Sequence, residues 1–230
     1  MIMKKIAAWG VHIFTSSGLL TGFLALIAIG EKDWKMAFVW LFVSFLIDGL
    51  DGTFARLVKV KEVLPQMNGK NIDFVIDFAN YAIFPAYFFY MAEMAPPGWM
   101  YPCLAMILLS SALYYGKEGM VEDEQYFVGF PVLWNLLVFV AFFVLNNQPW
   151  LNVGMVIIFS VLHFVPLKYA YPSRSRKFFW LHLLASVLWF VGGGIVLFVY
   201  PENLLWVDAM ILGIGVYFGV FAVLDTFRGN

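Results

Sequence analysis

The chain has 230 residues, a formal net charge of −1, 63% hydrophobic side chains and only 13% charged ones. Soluble domains carry about 45–50% apolar and about 25% charged residues, and one of this length cannot bury the surplus. A soluble protein is therefore excluded, and a lone cysteine, Cys103, excludes an intrachain disulfide framework and a Cys-rich metal site.

A bilayer core about 30 Å thick needs about 20 apolar residues per helix. Eight such runs follow in chain order: 11–30, 34–54, 72–91, 99–115, 131–145, 151–169, 178–200 and 205–226. The fifth is short and is expected to begin a little earlier. Gly and Pro mark the joints at Pro96-Pro97-Gly98, Pro149, Pro172 and Pro201. The pattern predicts an all-α integral membrane protein of about eight transmembrane helices in a single polytopic domain over 1–230, with no internal repeat. Lys4 and Lys5 precede a first span without a small-residue cleavage site, so that span is expected to be retained. Eight spans put both termini and the even-numbered loops on one side. That side carries twelve Lys and Arg residues, the other only Lys32 and Lys35. The bias predicts cytoplasmic termini, and Arg174, Arg176 and Lys177 are first of all part of it. Contact of Arg174 and Arg176 with lipid phosphate is a weaker alternative.

Ionisable residues inside spans are costly and mark function. Asp48 and Asp51 sit toward the cytoplasmic end of the second span, and Asp73 and Asp77 at the cytoplasmic start of the third. Spacings of three and four residues put each pair on one helix face, and the intervening hairpin brings all four carboxylates to one depth. Four carboxylates in a low dielectric repel one another unless a cation neutralises them. Oxygen-only ligation without His or Cys points to Mg²⁺ or Mn²⁺. Two such ions suit displacement at phosphorus, with one carboxylate left to take a proton. Gly52 and Gly69 admit backbone and ligand close to the carboxylates, Ala55 adds a small residue to that wall, and Arg56 offers a planar fork to a phosphate oxygen or holds an aspartate. An ion-coupling site of a cation transporter, or a structural salt-bridge cluster, is the bland alternative.

The pattern Asp48-x-x-Asp51-Gly52-x-x-Ala55-Arg56, followed by Gly69-x-x-x-Asp73-x-x-x-Asp77, resembles the signature of the CDP-alcohol phosphotransferases, with all eight fixed positions present. The resemblance implies a six-helix core plus two additional helices here, and transfer of a substituted phosphate from a CDP-linked donor to an alcohol with release of CMP. It also implies a two-metal site on the four aspartates, with Asp77 as the base, donor binding at Gly52, Ala55, Arg56 and Gly69, and a homodimer. Twelve residues separate Arg56 from Gly69, where most members have about eight. That spacer and the eight spans look like the bacterial phosphatidylcholine-synthase branch. So do residues 8–15, Gly129-Phe130-Pro131-x-x-Trp134-Asn135 and Phe164-Val165-Pro166-x-x-Tyr169. This branch implies CDP-diacylglycerol as donor, choline as acceptor and an inner-membrane location. Other acceptors (serine, glycerol phosphate or inositol phosphate) remain the alternative within the family; anionic ones would call for more Lys and Arg than Arg56 near the signature.

Choline's trimethylammonium group calls for an aromatic enclosure, for which Tyr114, Tyr115, Tyr126, Phe127 and Trp134 are candidates among many aromatics that only pack. Glu118, Glu122, Asp123 and Glu124 attract a cation or, more simply, form a solvated loop. Ser16 and Asn135 contact cytidine or phosphate, or else bond helix to helix. His12, His163 and His182 read as structural, Asp208 and Asp225 as interfacial. No nucleic-acid partner is expected.

Overall fold

Each of the eight apolar runs overlaps a helix in the computed structural model, which describes residues 2–122, 125–172, 174–175 and 178–228. Five helices are long and apolar enough to cross a membrane: Ile2–Gly30, Trp34–Val58, Gly69–Met91, Phe179–Val199 and Leu205–Phe227. Met100–Tyr115, Trp134–Val144 and Pro149–Leu162 are shorter apolar helices. The protein is a multi-pass, helical membrane protein. Large apolar side chains such as Leu20, Phe23, Phe198 and Val216 remain exposed, as lipid-facing surfaces require. The chain divides into two units, Met1–Ala92 and Glu93–Asn230.

The first unit comprises α1 (Ile2–Gly30), α2 (Trp34–Val58), α3 (Val60–Val63), α4 (Gly69–Phe78), a π turn (Ala79–Ile83) and α5 (Phe84–Met91). Asp33 caps α2 by accepting the Met36 N–H at 3.0 Å. Lys59, in the left-handed conformation with φ 55°, ends α2. The single turn α3 then lays Val60 and Leu64 on Ala8 and Val11 of α1, and Pro65, which disfavours helix at Leu64, closes it. This reversal returns the chain at Gly69, three residues earlier than the predicted third span. Small residues on α1 let its neighbours approach closely, the usual device where lipid offers no hydrophobic drive between helices. One α1 carbonyl, Gly18 O, accepts both Ser44 Oγ of α2 at 3.1 Å and Asn80 Nδ2 of the π turn at 3.2 Å.

The second unit comprises α6 (Met100–Tyr115), β1 (Val121–Glu122), β2 (Tyr126–Val128), α7 (Trp134–Phe139), a second π turn (Val140–Val144), α8 (Pro149–Leu162), β3 (Lys168–Ala170), α9 (Phe179–Val199) and α10 (Leu205–Arg228). The strands form an antiparallel sheet in the order β1-β2-β3, with Phe127 opposite Val121 and Tyr169. Two expectations are corrected here. The fifth helix begins at Trp134, not before Pro131, and the sixth ends at Leu162, not near Tyr169. Pro131 lacks an N–H and favours extended backbone at Phe130. The Gly129 and Phe130 N–H groups donate to Leu167 O and Leu162 O, each at 2.9 Å. Gly129 has φ +89°, and a Cβ there would strike the His163 carbonyl oxygen. The apolar stretch 163–170 therefore satisfies its backbone groups by pairing with 126–130 instead of extending α8.

Candidate metal and phosphotransfer site

The first unit gathers three of the four signature aspartates. Carboxylate oxygens of Asp48 on α2 and of Asp73 and Asp77 on α4 all lie within 4.8 Å of one another. Four-residue spacing stacks the α4 pair on one face, and the reversal through α3 sets that face toward Asp48. Asp51 lies beside this group. It is buried, beside Thr15 of α1 and close enough for its charge to act on Asp48 and Asp77. Tyr81 Oη donates to Asp48 Oδ2 at 2.7 Å. Clustered carboxylates in a half-buried, all-oxygen setting fit a hard divalent cation.

The small signature residues serve packing as much as access. Ala55 contributes to the apolar contact of Ala8, Val11, Val60 and Leu64. A Cβ at Gly69 would come 3.3 Å from His12 Cε1, so this glycine makes room for a buried histidine of α1. Gly52 is half-buried, and a Cβ there would stand 3.4 Å from Arg56 Nη1. Arg56 is exposed and donates from Nη2 to Thr53 Oγ1 at 3.0 Å; its other N–H groups remain suited to a phosphate.

The family profile described as CDP-alcohol phosphatidyltransferase matches residues 12–221. The chain belongs to that family. It is similar to phosphatidylcholine synthases from several bacteria. The protein of Pseudomonas aeruginosa is 35% identical over 93% of this chain and 92% of its own length. That of Rhizobium meliloti is 36% identical over 96% and 91%, and that of Legionella pneumophila 35% identical over 96% and 88%. The protein is therefore a transferase of the CDP-alcohol phosphatidyltransferase family, a family that uses divalent metal, and its aspartate group is placed to hold one.

The remaining sequence candidates fall in two places. On α1, Ser16 is exposed, whereas its neighbour Thr15 is buried beside Asp51 and donates from Oγ1 to Val11 O at 3.2 Å. The others lie in the second unit. Trp134 is buried and donates from Nε1 to Ser111 Oγ at 2.9 Å. Tyr114 and Trp134 both flank the buried His163, with ring centroids 5.5 and 5.6 Å away. His163 Nδ1 donates to Phe130 O at 2.7 Å, and its Nε2 is buried with no hydrogen-bond partner among the described residues. Tyr115 is half-buried, as are Tyr126 and Phe127 on β2. Phe127 stacks on Tyr171 at 4.8 Å, and the Arg174 guanidinium sits 4.7 Å from that tyrosine ring. Asn135 is buried and neither atom of its amide has a hydrogen-bond partner among the described residues. Glu118 is exposed; Asp123, Glu124, Arg176 and Lys177, and the side chain of Glu122, lie outside the described residues. Sequence reasoning missed Thr15, Asn80 and Tyr81. Tyr81 follows Asp77 by four residues, but it meets Asp48 by way of a π turn, for which the sequence carries no signal.

Proposed function

We propose that the protein is a phosphatidylcholine synthase that transfers the phosphatidyl group of CDP-diacylglycerol to choline and releases CMP. The observation that carries this reading is the aspartate group Asp48, Asp73 and Asp77 within 4.8 Å, on a chain similar over most of its length to proteins named for that activity. Asp48, Asp51, Asp73 and Asp77 would hold two ions, Mg²⁺ or Mn²⁺. Held there, divalent cations would supply neutralisation of the pyrophosphate charge. Arg56 holds a phosphate oxygen through its guanidinium, and the signature segment from Gly52 to Gly69 seats the donor. Asp77 takes the choline hydroxyl proton. The choline oxygen then bonds to the phosphorus that bears diacylglycerol, the bond from that phosphorus to CMP breaks, and CMP leaves with its electron pair. Positioning contributes most of the rate.

Discrimination against ethanolamine falls to the end remote from the hydroxyl. Aromatic faces attract a trimethylammonium group by about 0.5–2 kcal/mol per ring and leave an ethanolamine N–H without an acceptor. Tyr114, Tyr115, Tyr126, Phe127 and Trp134 are the candidates for that enclosure. The distribution of Lys and Arg supports a bacterial inner-membrane protein with both termini and the active site facing the cytoplasm. A homodimer and one polytopic domain complete the proposal. A panel of choline, ethanolamine, serine, glycerol phosphate and inositol phosphate, offered to purified protein with CDP-diacylglycerol and Mn²⁺, tests the acceptor. Choline is expected to be favoured by on the order of 10²-fold in kcat/KM; a higher rate with serine or glycerol phosphate would overturn the choline assignment.

A further inference from the structure

The rod from Gly69 to Met91 is not a uniform α-helix. It loosens into a π turn over Ala79–Ile83, starting two residues after Asp77, where the Phe84 N–H bonds back to Ala79 O. In an α-helix each residue advances about 100°, so a row at i, i+4 and i+8 drifts by about 40° per step. Asp73, Asp77 and Tyr81 form such a row, and on a straight α-helix Tyr81 would be displaced about 80° from the line of Asp73. The i→i+5 bonding of a π turn takes more residues per revolution, which turns Tyr81 back toward the face of the two aspartates. The result is the 2.7 Å hydrogen bond from Tyr81 Oη to Asp48 Oδ2. The turn is fixed from the other side as well. Asn80, 2% exposed, donates to Gly18 O of α1, and the Tyr81 ring, 5% exposed, packs 5.6 Å from Phe45 of α2.

We infer that Tyr81 is a positioning residue of the metal site and that the π turn after Asp77 is the device that delivers it. The inference rests on the metal reading proposed above. Asp48 is the aspartate of the group that comes from a different helix than the other two, so its carboxylate orientation depends on contacts across the α2–α4 interface. A tyrosine hydroxyl donating to one oxygen removes rotational freedom about the terminal carboxylate bond and leaves the carboxylate ready to ligate. Outer hydrogen bonds of this kind change metal affinity by about 10–100-fold when removed. Tyr81 acts on the bound cation through Asp48, to which it donates.

Tyr81→Phe keeps the buried ring and deletes only the donor. The test is Mn²⁺ binding to the purified full-length protein, read as free Mn²⁺ by electron paramagnetic resonance, in wild type, Tyr81→Phe, Asp48→Asn and the double variant. The metal-free unfolding temperature of Tyr81→Phe should match wild type. Its apparent Mn²⁺ Kd should rise about tenfold or more, and the Mn²⁺ concentration needed for half-maximal CMP release should shift with it. The double variant should bind no more weakly than Asp48→Asn, because the tyrosine acts through Asp48. A wild-type Mn²⁺ Kd in Tyr81→Phe, or fully additive losses in the double variant, overturns the inference while the metal reading stands. Wild type that binds no Mn²⁺ overturns the metal reading itself, and the inference with it.

Discussion

Gly22 of α1 is the position where the packing around the site is least tolerant, and Gly22→Ala is the most demanding test of it. A Cβ at Gly22 would collide with Asn80 Oδ1 and stand 2.5 and 2.9 Å from Phe84 Cε2 and Cδ2. Neither neighbour has room to move aside, since Asn80 is 2% and Phe84 7% exposed. The helices must separate instead, straining the Asn80–Gly18 hydrogen bond in the turn that carries Tyr81. Overpacking costs about 1–3 kcal/mol, and a hydrogen bond between membrane helices about 0.6 kcal/mol. Alanine recovers up to about 1 kcal/mol in helix propensity. The net loss is roughly 1–3 kcal/mol, a factor of about 5–150 in the unfolding equilibrium. Gly49→Ala is the control, because a Cβ there meets nothing within 4 Å and should be neutral or stabilising. Unfolding temperature in detergent should fall for Gly22→Ala and not for Gly49→Ala. Gly22→Ala melting at or above wild type would refute the close approach of α1 to the π turn.

Three further outcomes are expected. Asn at Asp48, Asp51, Asp73 or Asp77 keeps the shape but removes the charge, so each variant should insert and purify with CMP release at least about a hundredfold lower; full activity in two of the four would count against a shared metal site. Cysteines replacing the exposed Glu118 or Glu31, in a Cys103→Ala background, should react with an impermeant thiol reagent from the cytoplasmic side and from outside, respectively; the reverse pattern overturns the orientation. Tyr115→Ala, at a half-buried ring, should raise the choline KM several-fold and leave the KM for CDP-diacylglycerol near wild type if Tyr115 lines the enclosure; parallel changes in both would remove it from the candidates.

The aspartates were legible because helix periodicity converts spacing into a shared face, three residues from Asp48 to Asp51 and four from Asp73 to Asp77. The contacts that hold them were harder to read. Asn80 bonds to an element far away in sequence, and nothing local distinguishes the buried Thr15 from Ser16 until α1 has chosen which side to bury. Tyr81 reaches Asp48 through a π turn, a departure from α-periodicity that hydropathy does not register. The small sheet was hidden for another reason. Tyr126-Phe127-Val128 and Lys168-Tyr169-Ala170 are short and sit within or beside apolar, aromatic runs, so composition extends the neighbouring spans through them. The prolines at 131 and 166 were the available signs that the helices begin later and stop earlier.

The most direct measurement uses the protein reconstituted in vesicles with CDP-diacylglycerol, isotope-labelled choline and Mn²⁺, following label in lipid, label in the vesicle lumen and CMP together. Labelled phosphatidylcholine and CMP should appear in equal amounts, vanish on chelation and be absent in Asp77→Asn. Labelled choline accumulating in the lumen without CMP release would mark the aspartate group as a transport site and contradict phosphatidyl transfer.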